Sequence, residues 1–150
     1  LRRFKLILDT SADFVPDLLK YRPYLIKPND EELAEWFGLI NPSLEEIKDC
    51  GQKLLEKGAE NVLVSLGEKG AILFTPTETI HVTAPKGEVV NTACAGDTLL
   101  ATFVGSQLLG LSDEQALIKA VAAGSSTAFR PGLTDFSDVP TLMQQIKRIS

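Results

Sequence analysis

Apolar and polar positions along the chain follow two different spacings. Short apolar runs of strand length fall at Lys5–Asp9, Tyr24–Ile26, Asn61–Leu66, Ala71–Phe74 and Thr79–Thr83. Between them lie stretches that read as helix: Asp30–Phe37, Leu44–Lys57, Asp97–Leu109, Asp113–Phe129 and Val139–Arg148, with a shorter one near Asp13–Lys20. Within Leu44–Lys57, Ile47, Leu54 and Leu55 recur at helical spacing. Punctuation supports these boundaries. Arg22-Pro23 ends the first helix, Gly38, Gly58 and Gly110 stand just past the ends of three others, Ser112 is a good N-cap, and Pro131-Gly132 breaks the helix before it. Gly67-Glu68-Lys69-Gly70 is a turn, Ala84–Gly87 a loop, and Val89-Val90 is read as extended.

Strands that alternate with helices predict an α/β domain with a largely parallel sheet. There is no internal repeat, low-complexity tract or linker, so one domain, or part of one, is expected over 1–150.

Composition narrows the function more than the fold. Of 150 residues, 44% are hydrophobic and 23% charged, an ordinary globular balance. The net charge of -5 argues against a broad basic surface for nucleic acid or anionic membrane, though a local cationic pocket remains compatible with it. Cys50 and Cys94, with a single histidine, do not make a zinc spacing, and so few cysteines fit a reducing cytoplasm. No apolar run reaches membrane-spanning length. The chain enters an apolar strand run almost at once and its one methionine is Met143, so a piece of a longer protein is expected.

Three segments carry candidate chemistry, each at an expected carboxyl end of a strand or in the loop after it, where ligands of open α/β sheets gather. Ala93-Cys94-Ala95-Gly96 leads into a helix through small residues, so backbone N–H groups and the positive end of the helix dipole can face an anion. Asp97 at that end can accept a proton from an attacking hydroxyl. In Lys27-Pro28-Asn29-Asp30-Glu31-Glu32, the lysine suits phosphate, and Asn29 and Glu32 suit Mg²⁺ directly or through water. Ser65-Leu66-Gly67-Glu68-Lys69-Gly70 lets a nucleotide lie close to glycine backbone. Taken singly, each also reads as plain structure: a cap, a strand end followed by helix-favouring acids, and a hairpin turn. Neither GxxxxGK[ST] nor GxGxxG occurs.

In order along the chain, Leu8-Asp9-Thr10-Ser11, Ile26-Lys27-Pro28-Asn29 with Glu32, Ser65-Leu66-Gly67 with Gly70-Ala71, Ala84-Pro85-Lys86-Gly87 with Val89-Val90-Asn91-Thr92, Ala95-Gly96-Asp97 and Val121-Ala122-Ala123-Gly124-Ser125 resemble the C-terminal half of a PfkB (ribokinase-like) carbohydrate kinase. The resemblance covers essentially the whole chain. It implies a ribokinase-like three-layer α/β sandwich, Rossmann-like and largely parallel, of which this is the C-terminal portion without the lid. The Ile-Lys-Pro-Asn and Ala-Pro-Lys-Gly segments look most like the branch that acts on sugar phosphates, which holds 1-phosphofructokinase and tagatose-6-phosphate kinase.

The activity so implied is transfer of the ATP γ-phosphoryl group to a sugar-phosphate hydroxyl with Mg²⁺, foremost fructose 1-phosphate to fructose 1,6-bisphosphate, alternatively on tagatose 6-phosphate. Asp97 is then the base, Ala95 and Gly96 belong to an anion hole, Lys27 and Asn29 meet ATP phosphates, and Glu32 holds Mg²⁺ through water. Ser65, Gly67, Glu68 and Gly70 line the nucleotide, and Val121 and Ser125 lie on its adenine side. A monovalent-cation loop near Asn91, Ala93 and Gly132 occurs in some relatives. The resemblance also implies a homodimeric parent in which an N-terminal half supplies most sugar contacts. A nucleotide-binding module without turnover is the alternative for the 150 residues alone.

The chain departs from that family at Cys94, where glycine is usual, at Thr102, where a smaller residue is usual, and at Ala12, where the sugar-phosphate branch often has glycine. A side chain at position 94 is strained if the turn needs positive φ. Of the remaining residues, His81 reads as an exposed strand position, and Trp36 and Phe37 as core or cover.

Overall fold

A computed structural model describes residues 4–13 and 15–150. The described residues contain strands β1 (Ile7–Leu8), β2 (Leu25–Ile26), β3 (Val62–Ser65), β4 (Ala71–Phe74) and β5 (Thr79–Val82), in sheet order β1-β2-β3-β4-β5. The helices are α1 (Val15–Leu18), α2 (Asp30–Phe37), α3 (Leu44–Glu56), α4 (Ala95–Leu108), α5 (Asp113–Ala128) and α6 (Val139–Met143). The expected early helix near Asp13–Lys20 corresponds to α1 and a 3-10 turn over Leu19–Tyr21; Phe14 lies outside the described residues. None of the helices among the described residues is long and apolar enough to cross a membrane.

The chain forms two compact units. The first holds residues up to Leu66 together with Ile72–Thr79. In it β1 pairs parallel with β2, and β2 parallel with β3, in the register Ile7↔Leu25, Leu8↔Ile26 and Ile26↔Val62. The interior strands carry no polar alternation because they are covered: Leu25, Ile26, Val62, Leu63 and Val64 are fully buried. Leu33 of α2 and Ile47, Cys50 and Leu54 of α3 complete this core, with Trp36 and Phe37 packed against it, as their apolar character led one to expect. Both helices start in a capping box, Asn29 with Glu32 and Ser43 with Glu46, which satisfies backbone donors that a first turn leaves over. α3 approaches β4 closely at Gly51, where any Cβ would run into the Phe74 ring.

The second unit holds Gly67–Ala71 and Ile80–Ser150. Its core is the α4–α5 pair. Ala95 lies by Gly124, Thr98 bonds Thr127, and Gln107 bonds Asp113, so the two helices run antiparallel. The Ser112 capping box starts α5 where the sequence places it. Gly70 has φ +96° and a Cβ there would strike the Val82 carbonyl, so the turn into β4 requires glycine.

Two expectations are corrected in this unit. His81 is buried, not exposed, and the last helix stops at Met143 rather than Arg148. One rearrangement accounts for both. Beyond α6 the chain turns to run beside β5, with an antiparallel bridge between Val82 and Arg148. His81 N–H donates to the Ser150 carbonyl at 3.0 Å, Ile149 N–H to the His81 carbonyl at 2.7 Å, and Thr83 N–H to the Lys147 carbonyl at 2.9 Å. After Met143 the sequence offers only Ile146 and Ile149 as apolar residues, too few for a helical stripe. The exposed donors and acceptors of β5 take up that backbone instead. Val89-Val90 also joins no strand: the N–H groups of Val90 and Asn91 both donate to the Ala128 carbonyl, at 2.8 and 3.1 Å.

Candidate active site

In the second unit the candidate turn lies at the N-terminus of α4. The helix begins at Ala95, two residues before the sequence boundary, so Asp97 sits inside its first turn and is exposed. Cys94 is the N-cap, at φ 65° and ψ 1°, in the left-handed region that favours glycine. Its side chain makes no capping bond. Ala95 N–H returns to the Thr92 carbonyl at 3.2 Å, and Thr98 N–H reaches the Cys94 carbonyl at 2.9 Å. Between them, the N–H groups of Gly96 and Asp97 belong to the first turn, which lacks intrahelical acceptors for its donors. Of the expected anion hole, therefore, Gly96 and the Asp97 backbone are the open donors, while Ala95 N–H is already engaged within the turn.

The approach to this turn is pinned at several points. Asn91 Oδ1 accepts from Ala93 N–H at 2.9 Å, and Asn91 Nδ2 reaches the Pro131 carbonyl at 3.4 Å, beside Gly132. Gly87 abuts the Phe129 ring. Gly124 lets α5 pass close to the Ala95 carbonyl. Ser125 follows on α5, half-buried, and Val121 one turn earlier is buried. Thr102 is buried in α4. Gly67 (φ +59°) and the exposed Glu68 form a 3-10 turn closed by Gly70.

In the first unit, the carboxyl ends of three parallel strands bring Asp9, Lys27, Asn29 and Ser65 together. Lys27 Nζ is buried and lies 3.4 Å from Asp9 Oδ1. A buried ammonium is costly unless paired, and Asp9 is the partner that offsets that cost for Lys27 at the strand end. Asn29 and Ser65 make a parallel bridge, and Ser65 N–H donates to the Pro28 carbonyl at 3.1 Å. Asn29 Oδ1 accepts from Glu32 N–H at 2.7 Å, while Glu32 Oε1 accepts from Asn29 N–H at 3.2 Å. The sequence motifs assign Asp9 no role of its own. Its position right after the β1 apolar run, matching that of Lys27 after β2, was the available signal.

Residues 3–141 match the pattern described as "pfkB family carbohydrate kinase". The chain belongs to the pfkB family of carbohydrate kinases. It is 52% identical over 97% of its length to the D-tagatose-1-phosphate kinase of Bacillus licheniformis, and 38% identical over 95% to the 1-phosphofructokinase of Bacillus subtilis. It spans about half the length of these relatives, 48% and 47% respectively. Among solved structures it superposes on Arabidopsis thaliana ribokinase complexed with ribose and ATP with a TM-score of 0.81, at 32% identity, over 93% of this chain and 47% of that one. The ribokinase-like α/β fold read from the sequence is thereby established.

For a pfkB chain, the donor set bears on which groups it can hold. Among the described residues no group of three or more His, Cys, Asp or Glu side chains is placed to hold a metal ion. Glu32 already has one carboxylate oxygen engaged in the capping box. That fits Mg²⁺ carried by phosphates and water, the usual mode for that ion, and not an all-protein cage. The α4 turn, with open N–H groups at a positive helix end, fits a phosphoryl group.

Proposed function

We propose that the whole protein transfers the γ-phosphoryl group of ATP to a hydroxyl of a ketohexose 1-phosphate, with Asp97 as base. The observation that carries the reading is the first turn of α4, which places an exposed carboxylate beside the open N–H groups of Gly96 and Asp97. Phosphoryl transfer needs little covalent chemistry from a protein. It needs a proton acceptor for the attacking hydroxyl and fixed donors where charge spreads over the transferring oxygens. Asp97 supplies the first and the turn supplies the second. Lys27 and Asn29 meet phosphate oxygens, and Ser65, Gly67, Glu68, Gly70, Val121 and Ser125 line the nucleotide in this reading. Glu32 would hold Mg²⁺ through water; when bound, that ion neutralises charge on the phosphates. Asn91, Ala93 and the Pro131-Gly132 backbone, joined by the Asn91–Pro131 bond, are the place for a monovalent cation.

Two acceptors head the list. D-tagatose 1-phosphate is favoured by the 52% identity to a kinase named for it, and fructose 1-phosphate by the 38% identity to a 1-phosphofructokinase. ADP release from Mg·ATP by the purified whole protein, assayed with both 1-phosphates, tagatose 6-phosphate and ribose, separates these. Turnover is expected with the 1-phosphates, fastest with tagatose 1-phosphate. Turnover of ribose alone, or of none, would overturn the reading.

A further inference from the structure

The α4 turn is tied to the segment after α5 by a run of hydroxyls whose direction is fixed by chemistry. Thr98 Oγ1 lies 2.9 Å from the Cys94 carbonyl and 3.1 Å from Thr127 Oγ1, and Thr134 N lies 3.1 Å from Thr127 Oγ1. A carbonyl only accepts, so the single hydroxyl proton of Thr98 goes to Cys94. Thr98 then meets Thr127 only as acceptor, so Thr127 donates, and its own oxygen receives the Thr134 N–H. The order is Thr134 N–H to Thr127, Thr127 to Thr98, Thr98 to the Cys94 carbonyl. Thr127 is 2% exposed, so water does not stand in for a lost link.

Thr134 is anchored in the other direction as well. Its Oγ1 accepts from Phe136 N–H at 2.9 Å and lies 2.7 Å from Ser126 Oγ, which donates to Asp138 Oδ1 at 2.6 Å. Asp138 Oδ2 pairs with Arg130 at 3.2 Å. Ser126 and Thr127, adjacent on α5, thus grip one residue of the following segment through two separate bonds. The Cys94 N-cap needs such support. The helices α2, α3 and α5 each start in a capping box, whereas α4 starts at a left-handed cysteine whose side chain caps nothing.

We propose that Thr127 is a positioning residue for the α4 turn: through Thr98 it holds the Cys94 carbonyl, and with it the orientation of the Gly96 and Asp97 donors. The kinetic part of this proposal rests on the kinase reading given above; the structural part does not.

The test compares Thr127→Val, Thr127→Ser and Thr98→Val in the whole protein. Thr127→Val keeps shape and removes the hydroxyl; Thr127→Ser keeps the hydroxyl; Thr98→Val breaks the same relay at a half-buried site. A lost buried bond predicts about a tenfold fall in kcat for both valine variants, with KM for the sugar phosphate unchanged and Thr127→Ser close to wild type. The double valine variant is expected to be no slower than the slower single variant, because both break one chain. Wild-type kcat in Thr127→Val, a serine variant as slow as the valine one, or losses that multiply in the double variant would each overturn the proposal. Amide hydrogen exchange of Ala95 and Thr98, the bonded N–H groups of the α4 turn, decides the structural part without any turnover. It is expected to speed up in both valine variants and return to normal in Thr127→Ser; unchanged exchange would overturn it. A wild-type protein that phosphorylates no sugar phosphate defeats the kinase reading and leaves the exchange result to stand or fall by itself.

Discussion

Gly124 faces the carbonyl of Ala95 so closely that a Cβ at position 124 would lie 3.1 Å from that oxygen and 3.3 Å from Leu99 Cβ. The neighbour is backbone in the first turn of α4, the turn that carries Gly96 and Asp97, so it cannot swing aside as a flexible side chain would. Gly124→Ala is expected to push that turn outward. Overpacking of this kind costs about 1–3 kcal/mol. Displaced by a fraction of an ångström, the donors lose alignment, and kcat falls by about tenfold or more. Steady-state kinetics beside a denaturant midpoint read both effects; a variant with unchanged kcat would show that the turn tolerates the shift.

Cys94 sits at φ 65° without a capping bond from its side chain. Left-handed geometry costs a residue with a Cβ about 1–2 kcal/mol, while glycine gives back about 0.5–1 kcal/mol through its freer unfolded chain. Cys94→Gly is therefore expected to stabilise the protein by about 0.5–1 kcal/mol, seen as a higher denaturant midpoint at unchanged slope. A lower midpoint would mean the thiol makes a stabilising contact that outweighs the strain.

Asn29 is both a helix cap and a proposed phosphate contact, and two substitutions separate these roles. Asn29→Ala removes the capping oxygen and is expected to cost about 1 kcal/mol. Asn29→Ser keeps a capping oxygen, so stability stays within a few tenths of a kcal/mol, while the shorter side chain withdraws from the nucleotide. A raised KM for ATP in both variants supports the contact. A KM for ATP that is normal in the stable serine variant would leave Asn29 as a cap alone.

Asp135 offers a pH handle. The Ser137 hydroxyl and N–H both donate to it, and Arg130 lies 3.0 Å away, so its pKa falls from 3.8 to about 2. A carboxylate depressed by folding contributes stability that is fully present above its unfolded pKa and is lost as pH falls through the folded one. The contacts of the Arg130–Asp138 segment should thus hold from neutrality to about pH 4 and loosen between about pH 4 and 2. NMR titration of the Asp135 carboxyl reads this directly, and Ser137→Ala should raise the midpoint, since Ser137 is the largest cause. A midpoint near 4 in the parent would contradict the hydrogen bonding seen here.

Much of the fold was legible because its signals are local. α2 spans Asp30–Phe37 and ends at Gly38 as expected, and Ser112 caps α5 where the sequence places it, since caps depend on neighbours in sequence. Buried strands such as Val62–Val64 announce themselves as unbroken apolar runs. What stayed hidden depends on residues far apart in the chain. The burial of His81 follows from a pairing with Arg148–Ser150, and nothing around His81 encodes where the C-terminus goes. The Asp9–Lys27 pair and the Thr98–Thr127 bond likewise join residues from separate elements. For the site, residue types and their order pointed to the α4 turn and the strand ends. The strain at Cys94 was anticipated as a condition, and the φ of 65° meets that condition.

The most direct test of the central claim is the turnover of Asp97→Asn in the whole protein. The variant preserves shape and removes the proton acceptor, so with Mg·ATP and the better of the two ketohexose 1-phosphates kcat should fall by about 10²–10⁴-fold with ATP binding retained. A variant that keeps its kcat within a few-fold of wild type would show that Asp97 is not the base.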